Sequence, residues 1–231
     1  MCPFFLCPFL PTFQIKMIRK IASKKMFEII PGSAPLLITC EHGGNAELEG
    51  KKVFTGPTQP LKEMHWAFDP GSANLTRALC KATNAPGIIC NITRLYCDVN
   101  RPVGSETLAR NECDGIRIGI NQNFDNNKRQ ERIEEVWLPY HLAAAELAAQ
   151  VNAKTVASIH SFNPIYEGKR RDHVEIGVLS SFDDTFPLKV LAQLEKDGFQ
   201  RVLLNIPWSG KSGLSKSIAC LLSLTHTTNF P

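Results

Sequence analysis

An acid and an imidazole stand together at the end of a short apolar run. In "LLITCEHGGNAELEG" (36–50), Glu41 and His42 are followed at once by Gly43 and Gly44. A second histidine, His160, closes another apolar run, "TVASIHSF" (155–162). Neutral imidazole is a common zinc ligand, and a catalytic zinc usually takes three protein ligands and leaves one position for water. Two strand-end histidines could supply two ligands, with the third drawn from Asp69, Glu41, His141 or His65. They could equally be hydrogen-bonded residues at strand ends, and spacing alone leaves both readings open. The stretch "TRLYCDVNRP" (93–102) adds Arg94, Asp98, Asn100 and Arg101. Two guanidiniums and an amide suit a carboxylate-bearing substrate, because Arg meets a carboxylate with paired, charge-assisted hydrogen bonds. Asp98 then reads as an orienter of an arginine, and a surface salt-bridge loop would use the same residues. Gly43 and Gly44 permit a sharp turn and leave room for a ligand close to the chain.

Positioning these groups requires strands. "PLLITC" (35–40), "GIICNI" (87–92), "TVASI" (155–159), "VEIGVL" (174–179) and "RVLLN" (201–205) read as buried strands. Helix-like stretches lie between them. "FDPGSANLTRALCKAT" has Asp69 as a candidate N-cap and Pro70 at the first helical position. "KRQERIEEVWLPYHLAAAELAAQVNAK" is rich in helix formers, and Pro139 should kink or split it. "TFPLKVLAQLEKDG" ends at Gly198, a C-cap. The alternation predicts one α/β domain with a mixed, largely parallel central sheet and helices on both faces. In such sheets ligands bind beyond the carboxyl ends of the strands, and all three polar clusters fall there.

The chain-wide numbers exclude several classes. A net charge of +4 with scattered basic residues gives no nucleic-acid surface. Eight cysteines without a CxxC pair read as reduced thiols of an intracellular, cytoplasmic protein. "MCPFFLCPFLPTF" is interrupted by three prolines and is too short to span a membrane. The basic, acid-poor segment after it reads either as an organellar transit peptide or as chain upstream of a start at Met26. Residues 1–25 are therefore set apart from a domain over 26–231.

The succession "CEHGGN", "HWAFDPGSANL", "TRLYCDVNRP", "RIEEVWLPYH", "SIHSFNP", "IGVL" and "NIPWSGKSG" resembles the N-formylglutamate amidohydrolase family over most of residues 35–215. That family is related in fold to zinc carboxypeptidases and aspartoacylases. The resemblance implies a divalent metal, Zn2+, held by His42, His160 and, from its D-x-G context, Asp69. It implies carboxylate recognition by Arg94, Asn100 and Arg101, and a catalytic part for Glu41 in orienting the metal ligands or a water. The implied reaction is hydrolysis of a small-molecule N-acyl amino acid, N-formyl-L-glutamate giving formate and L-glutamate.

Three departures from the family pattern stand out. Asn45 occupies the place of a ligating Glu in the related zinc enzymes, and Ser158 that of an acid two residues before the second histidine. No Glu or Asp follows Asp197, whereas relatives carry a strand glutamate near the C-terminus that suits a general base. "ACLLSL" (219–224) could be a strand. The expectation is a family member that lacks the C-terminal strand and helix and is of doubtful activity: either the chain is truncated, or its terminus is altered, or Glu175 or Glu41 substitutes as the base. Failing that, it would be an impaired member that binds acidic metabolites.

Overall fold

The computed structural model describes residues 26–166, 169–180 and 183–208. The expectations for residues 1–25, for "ACLLSL" and for the C-terminal acid lie outside these. Four strands form the main sheet: β1 (Phe27–Ile30), β2 (Leu36–Cys40), β3 (Gly87–Cys90) and β6 (Thr155–Ser158), in the order β1-β3-β2-β6. β2 pairs in parallel with β3 and with β6, and β1 closes one edge antiparallel to β3. β4 (Glu112–Cys113) with β5 (Ile116–Arg117), and β7 (Ile165–Tyr166) with β8 (Lys169–Arg170), form short antiparallel ribbons.

β2 and β3 are nearly continuous apolar runs because both of their faces are covered. Side chains alternate along β2. Leu37 joins the larger core with Tyr140, Ala144 and Leu147, while Ile38 joins Cys80 and Ala85 on the opposite face. Helix α1 (Ser72–Thr83) thus covers one face through Ser72, Thr76 and Cys80. The long stretch α2 (Asn126–Arg132) to α3 (Leu138–Gln150) covers the other. The expected α/β layers are present, with two changes. β1 was not foreseen. Moreover, β9 (Ile176–Val178) and β10 (Val202–Leu204) pair in parallel with each other as a separate sheet beside α4 (Thr185–Lys196), instead of extending the main one.

Two helix starts also differ from expectation. α1 begins at Ser72, with Gly71 as N-cap at φ 83°, a left-handed conformation suited to glycine. Asp69 is therefore not the cap, and its carboxylate is free to point elsewhere. Pro139 does not break the long helix. A π-helical turn at Ile133–Trp137 precedes it, and the Leu138 N–H donates to the Ile133 carbonyl. The wider turn absorbs the proline's missing donor and its ring.

The two glycines after His42 serve packing. A Cβ on Gly43 would collide with the Ile89 side chain, and one on Gly44 with the Asn91 backbone. The loop runs against the end of β3, where the Ala46 N–H donates to the Asn91 carbonyl at 2.9 Å. Close packing of the loop on the end of β3, rather than space for a ligand, explains the pair. Gly44→Ala should lower stability by about 1–3 kcal/mol, the usual cost of overpacking, read as a lower urea midpoint at unchanged slope.

His141 is a core residue, not a ligand. Its Nε2–H donates to the Val99 carbonyl at 2.8 Å, and its ring packs on Trp137 with centroids 3.9 Å apart. Burial lowers its pKa to about 4, against the Val99 bond that raises it. The unfolded chain then binds the extra proton between pH 6.5 and about 4, so this stability is present above 6.5 and lost as pH falls through 4. A drop of about 2.5 units corresponds to about 3 kcal/mol. Urea denaturation of metal-free wild type and His141→Gln at pH 7 and 4.5 should show the wild type losing more by roughly that amount.

Candidate metal and substrate site

The parallel ladder carries the site. The Ile159 N–H donates to the Thr39 carbonyl, so His42 and His160 emerge side by side beyond neighbouring strands, with rings 4.9 Å apart. The Asp69 N–H donates to the His42 carbonyl at 2.8 Å, which ties the segment before α1 to the end of β2. Ser72 Oγ donates to the Asp69 carbonyl. Asp69 is thereby aimed at both histidines. Its Oδ2 lies 2.8 Å from His160 Nδ1 and 3.5 Å from His42 Nδ1. One ligand atom from each of His42, Asp69 and His160 lies within 4.8 Å of the others, so the three could hold a metal ion together.

Each imidazole is fixed from behind. His42 Nε2 is 2.7 Å from Asp98 Oδ1, which also accepts from the Asn100 N–H at 2.9 Å. With its proton on Nε2 towards Asp98, His42 presents the Nδ1 lone pair to Asp69. His160 Nε2 lies 3.3 Å from Glu41 Oε2 and 3.0 Å from Ser158 Oγ, and Ser158 Oγ donates to Glu41 at 2.5 Å. His160 Nδ1 then faces Asp69 in turn. A carboxylate behind a ligating imidazole fixes its tautomer and raises its basicity.

The electrostatics follow from three buried carboxylates around two rings. Burial pushes Glu41 up, but bonds from His160 and Ser158 hold it at about 2. Burial likewise opposes the Asp98 charge state, and the His42 charge and hydrogen bond bring it to about 2. Asp69 falls far below the carboxylate range despite burial, held by both histidines and Arg94. Burial would lower His160, yet Asp69 and Glu41 raise it to about 10; His42 is raised too, chiefly by Asp98. A pocket that concentrates this much negative charge on two imidazoles is matched by a divalent cation, and two nitrogens plus a carboxylate form a normal donor set for one.

The expected carboxylate-binding residues flank the cluster in different states. Arg94 reaches inward, with Nη1 3.1 Å from Asp69 Oδ1 and 3.2 Å from His42 Nδ1. Its Nε donates to the Trp66 carbonyl at 3.0 Å and its Nη2 to the His65 carbonyl. Asn100 Nδ2 lies 3.4 Å from His160 Nε2. Arg101 is one-third exposed, with only its Nε near Asp98 Oδ2, at 3.5 Å. Asp98 thus serves His42 first and an arginine second, and Ser158 replaces the expected acid by relaying Glu41. Asn45 donates to the Lys62 carbonyl, and Glu175 accepts from the Gln200 N–H beside β10, so neither joins the cluster. His65 sits at the rim, its Nδ1 3.3 Å from Asn163 Nδ2. Burial and the Arg94 charge lower its pKa, opposed by Asp114 and Asp69.

Both the sequence and the fold have known counterparts. The sequence model of the N-formylglutamate amidohydrolase family matches residues 34–226. No curated protein matches the sequence. Among solved structures, the gene product Atu2144 of Agrobacterium tumefaciens superposes with a TM-score of 0.77 at 24% identity, over 88% of this chain and 81% of that one. The N-formylglutamate amidohydrolase of Ralstonia eutropha JMP134 superposes with a TM-score of 0.59 at 16% identity, over 88% and 98%. At these identities the superpositions speak for the fold. The matched fold and the polar cluster at its strand ends define an α/β protein with a candidate metal site at the edge of its sheet. The chain belongs to the N-formylglutamate amidohydrolase family, which makes it an amidohydrolase.

Proposed function

We infer that the chain hydrolyses the amide of an N-acyl amino acid, N-formyl-L-glutamate in the first instance, with a divalent ion such as zinc held by His42, Asp69 and His160. The observation that carries this reading is the convergence of those three side chains at the ends of β2 and β6 in a member of this family. A bound ion would supply Lewis acidity, making water more acidic and polarising the acyl oxygen. The chain supplies the positioning. Asp98 and the Glu41–Ser158 pair hold the two imidazoles with their Nδ1 lone pairs turned inward. Arg101 and Asn100 stand where a substrate carboxylate can be gripped with its acyl carbon over the cluster, and Arg94 balances Asp69. No helix of the described residues is long and apolar enough to cross a membrane. The five described cysteines are free and buried, which fits the cytoplasm as a reducing compartment.

The test is formate release from N-formyl-L-glutamate by purified, zinc-supplemented protein beside His42→Ala, with metal content measured on both. Turnover by the wild type that vanishes with the metal in the variant is the expected result. Folded, zinc-loaded wild type that binds the substrate without releasing formate would overturn the hydrolytic reading and leave a metabolite-binding protein.

A further inference from the structure

The His65–Asn163 pair has no part in the reading so far. The Ile165 N–H donates to Asn163 Oδ1 at 3.0 Å, and a backbone N–H can only donate, so the amide orientation of Asn163 is determined. Its Nδ2 must then be the group 3.3 Å from His65 Nδ1, and an amide NH2 can only donate as well. His65 Nδ1 is therefore an acceptor, and the proton of the neutral ring sits on Nε2. Among the described residues no other group bonds to the ring. Trp66 packs against it with centroids 4.6 Å apart and the rings tilted by 36°, and its own Nε1–H donates to Asp114.

The surroundings place His65 beside the cluster. The His65 carbonyl accepts from the Arg94 guanidinium that also reaches Asp69 and His42. Asn163 lies three residues beyond His160 on the same loop. His65 is thus clamped between the arginine that grips the cluster and the loop that supplies its second imidazole. A half-buried N–H with a set tautomer and no acceptor among the described residues is what a site uses to hold a substrate oxygen.

We propose that His65 is a substrate-binding hydrogen-bond donor, locked as the Nε2–H tautomer by Asn163, that takes an oxygen of the acylated amino acid bound at the cluster. This deepens the proposed function and rests on it for the identity of the ligand. Asn163 is a positioning residue, since it acts through His65.

Two measurements test it. In 15N-histidine-labelled, zinc-loaded protein, with the His65 signals assigned from their absence in His65→Gln, the wild type should show the Nε2–H tautomer. Asn163→Ala should show a mixture, and saturating N-formyl-L-glutamate should move the His65 Nε2 signal. In kinetics, His65→Leu should lose about 10–100-fold in kcat/KM, the effect of one hydrogen bond to a charged or polarised oxygen. His65→Gln, whose side-chain N–H reaches the place of Nε2–H, should recover part of that loss. A proton on Nδ1 in the wild type, or no recovery by His65→Gln, overturns the proposal. Substrate binding that moves other signals and spares His65 overturns it alone. Failure of the wild type to bind any N-acyl amino acid overturns the proposed function and the ligand assignment, while the tautomer result still decides whether Asn163 sets the ring.

Discussion

Asp69→Asn is expected to cost on the order of 1,000-fold in kcat/KM, about 4 kcal/mol, and to abolish stoichiometric zinc. Asp69 is the hub of the cluster: it meets both imidazoles through Oδ2 and Arg94 through Oδ1. Its replacement keeps the shape and removes the charge. In the metal-free protein the change should also be visible without any assay. His160 is raised to about 10 by Asp69 and Glu41 together, so loss of the Asp69 charge should bring its titration down by NMR. The sign is fixed by linkage. A histidine raised in the folded state contributes stability below its unfolded pKa of about 6.5 that is lost as pH rises through the folded value. Metal-free wild type should therefore weaken between pH 6.5 and about 10, and Asp69→Asn should lose less over that span. A variant that retains one zinc per chain and works within tenfold of wild type would remove Asp69 from the ligand set.

Much of this site was legible because strand ends are legible. Buried parallel strands are short apolar runs, and the residue after such a run stands at the ligand-binding edge of the sheet. That rule puts His42 and His160 at this edge, but it does not distinguish a metal ligand from a hydrogen-bonded strand end. Asp69 needed the family resemblance, because Asp-Pro before a helix is indistinguishable by pattern from a cap; only the helix's later start at Ser72 frees its carboxylate. Asp98 reads as an orienter of an arginine from its own stretch, whereas its shortest side-chain contact crosses to His42, 56 residues away. No local pattern carries that pairing. Ser158 is legible as a departure from the family pattern, and strand alternation puts it on the same side as His160; its bond to Glu41, 117 residues away, is not. β1 is hard to read because four residues carry little periodicity, even with Pro31 and Gly32 marking a turn directly after it. The separate β9–β10 sheet was missed because sequence marks strands but not which sheet they join.

Glu41→Gln separates two roles that the sequence could not. A general base acting near neutral pH needs a pKa near the working pH. Glu41 is held at about 2, fully buried, and its carboxylate meets the ring nitrogen of His160 that faces away from Asp69. We therefore assign it to positioning His160, not to moving the water's proton. Losing a carboxylate behind a ligand typically costs 10–100-fold in metal affinity or activity, and Glu41→Gln should fall in that range, with excess zinc restoring part of kcat/KM. The acid limb of the pH profile should stay in place. Ser158→Ala should act through the same ring nitrogen, so the double variant should lose less than the product of the two single losses. Removal of a true base would behave otherwise: zinc would stay bound, turnover would fall by more than the range above, and the acid limb would vanish. That pattern would return Glu41 to the chemistry itself.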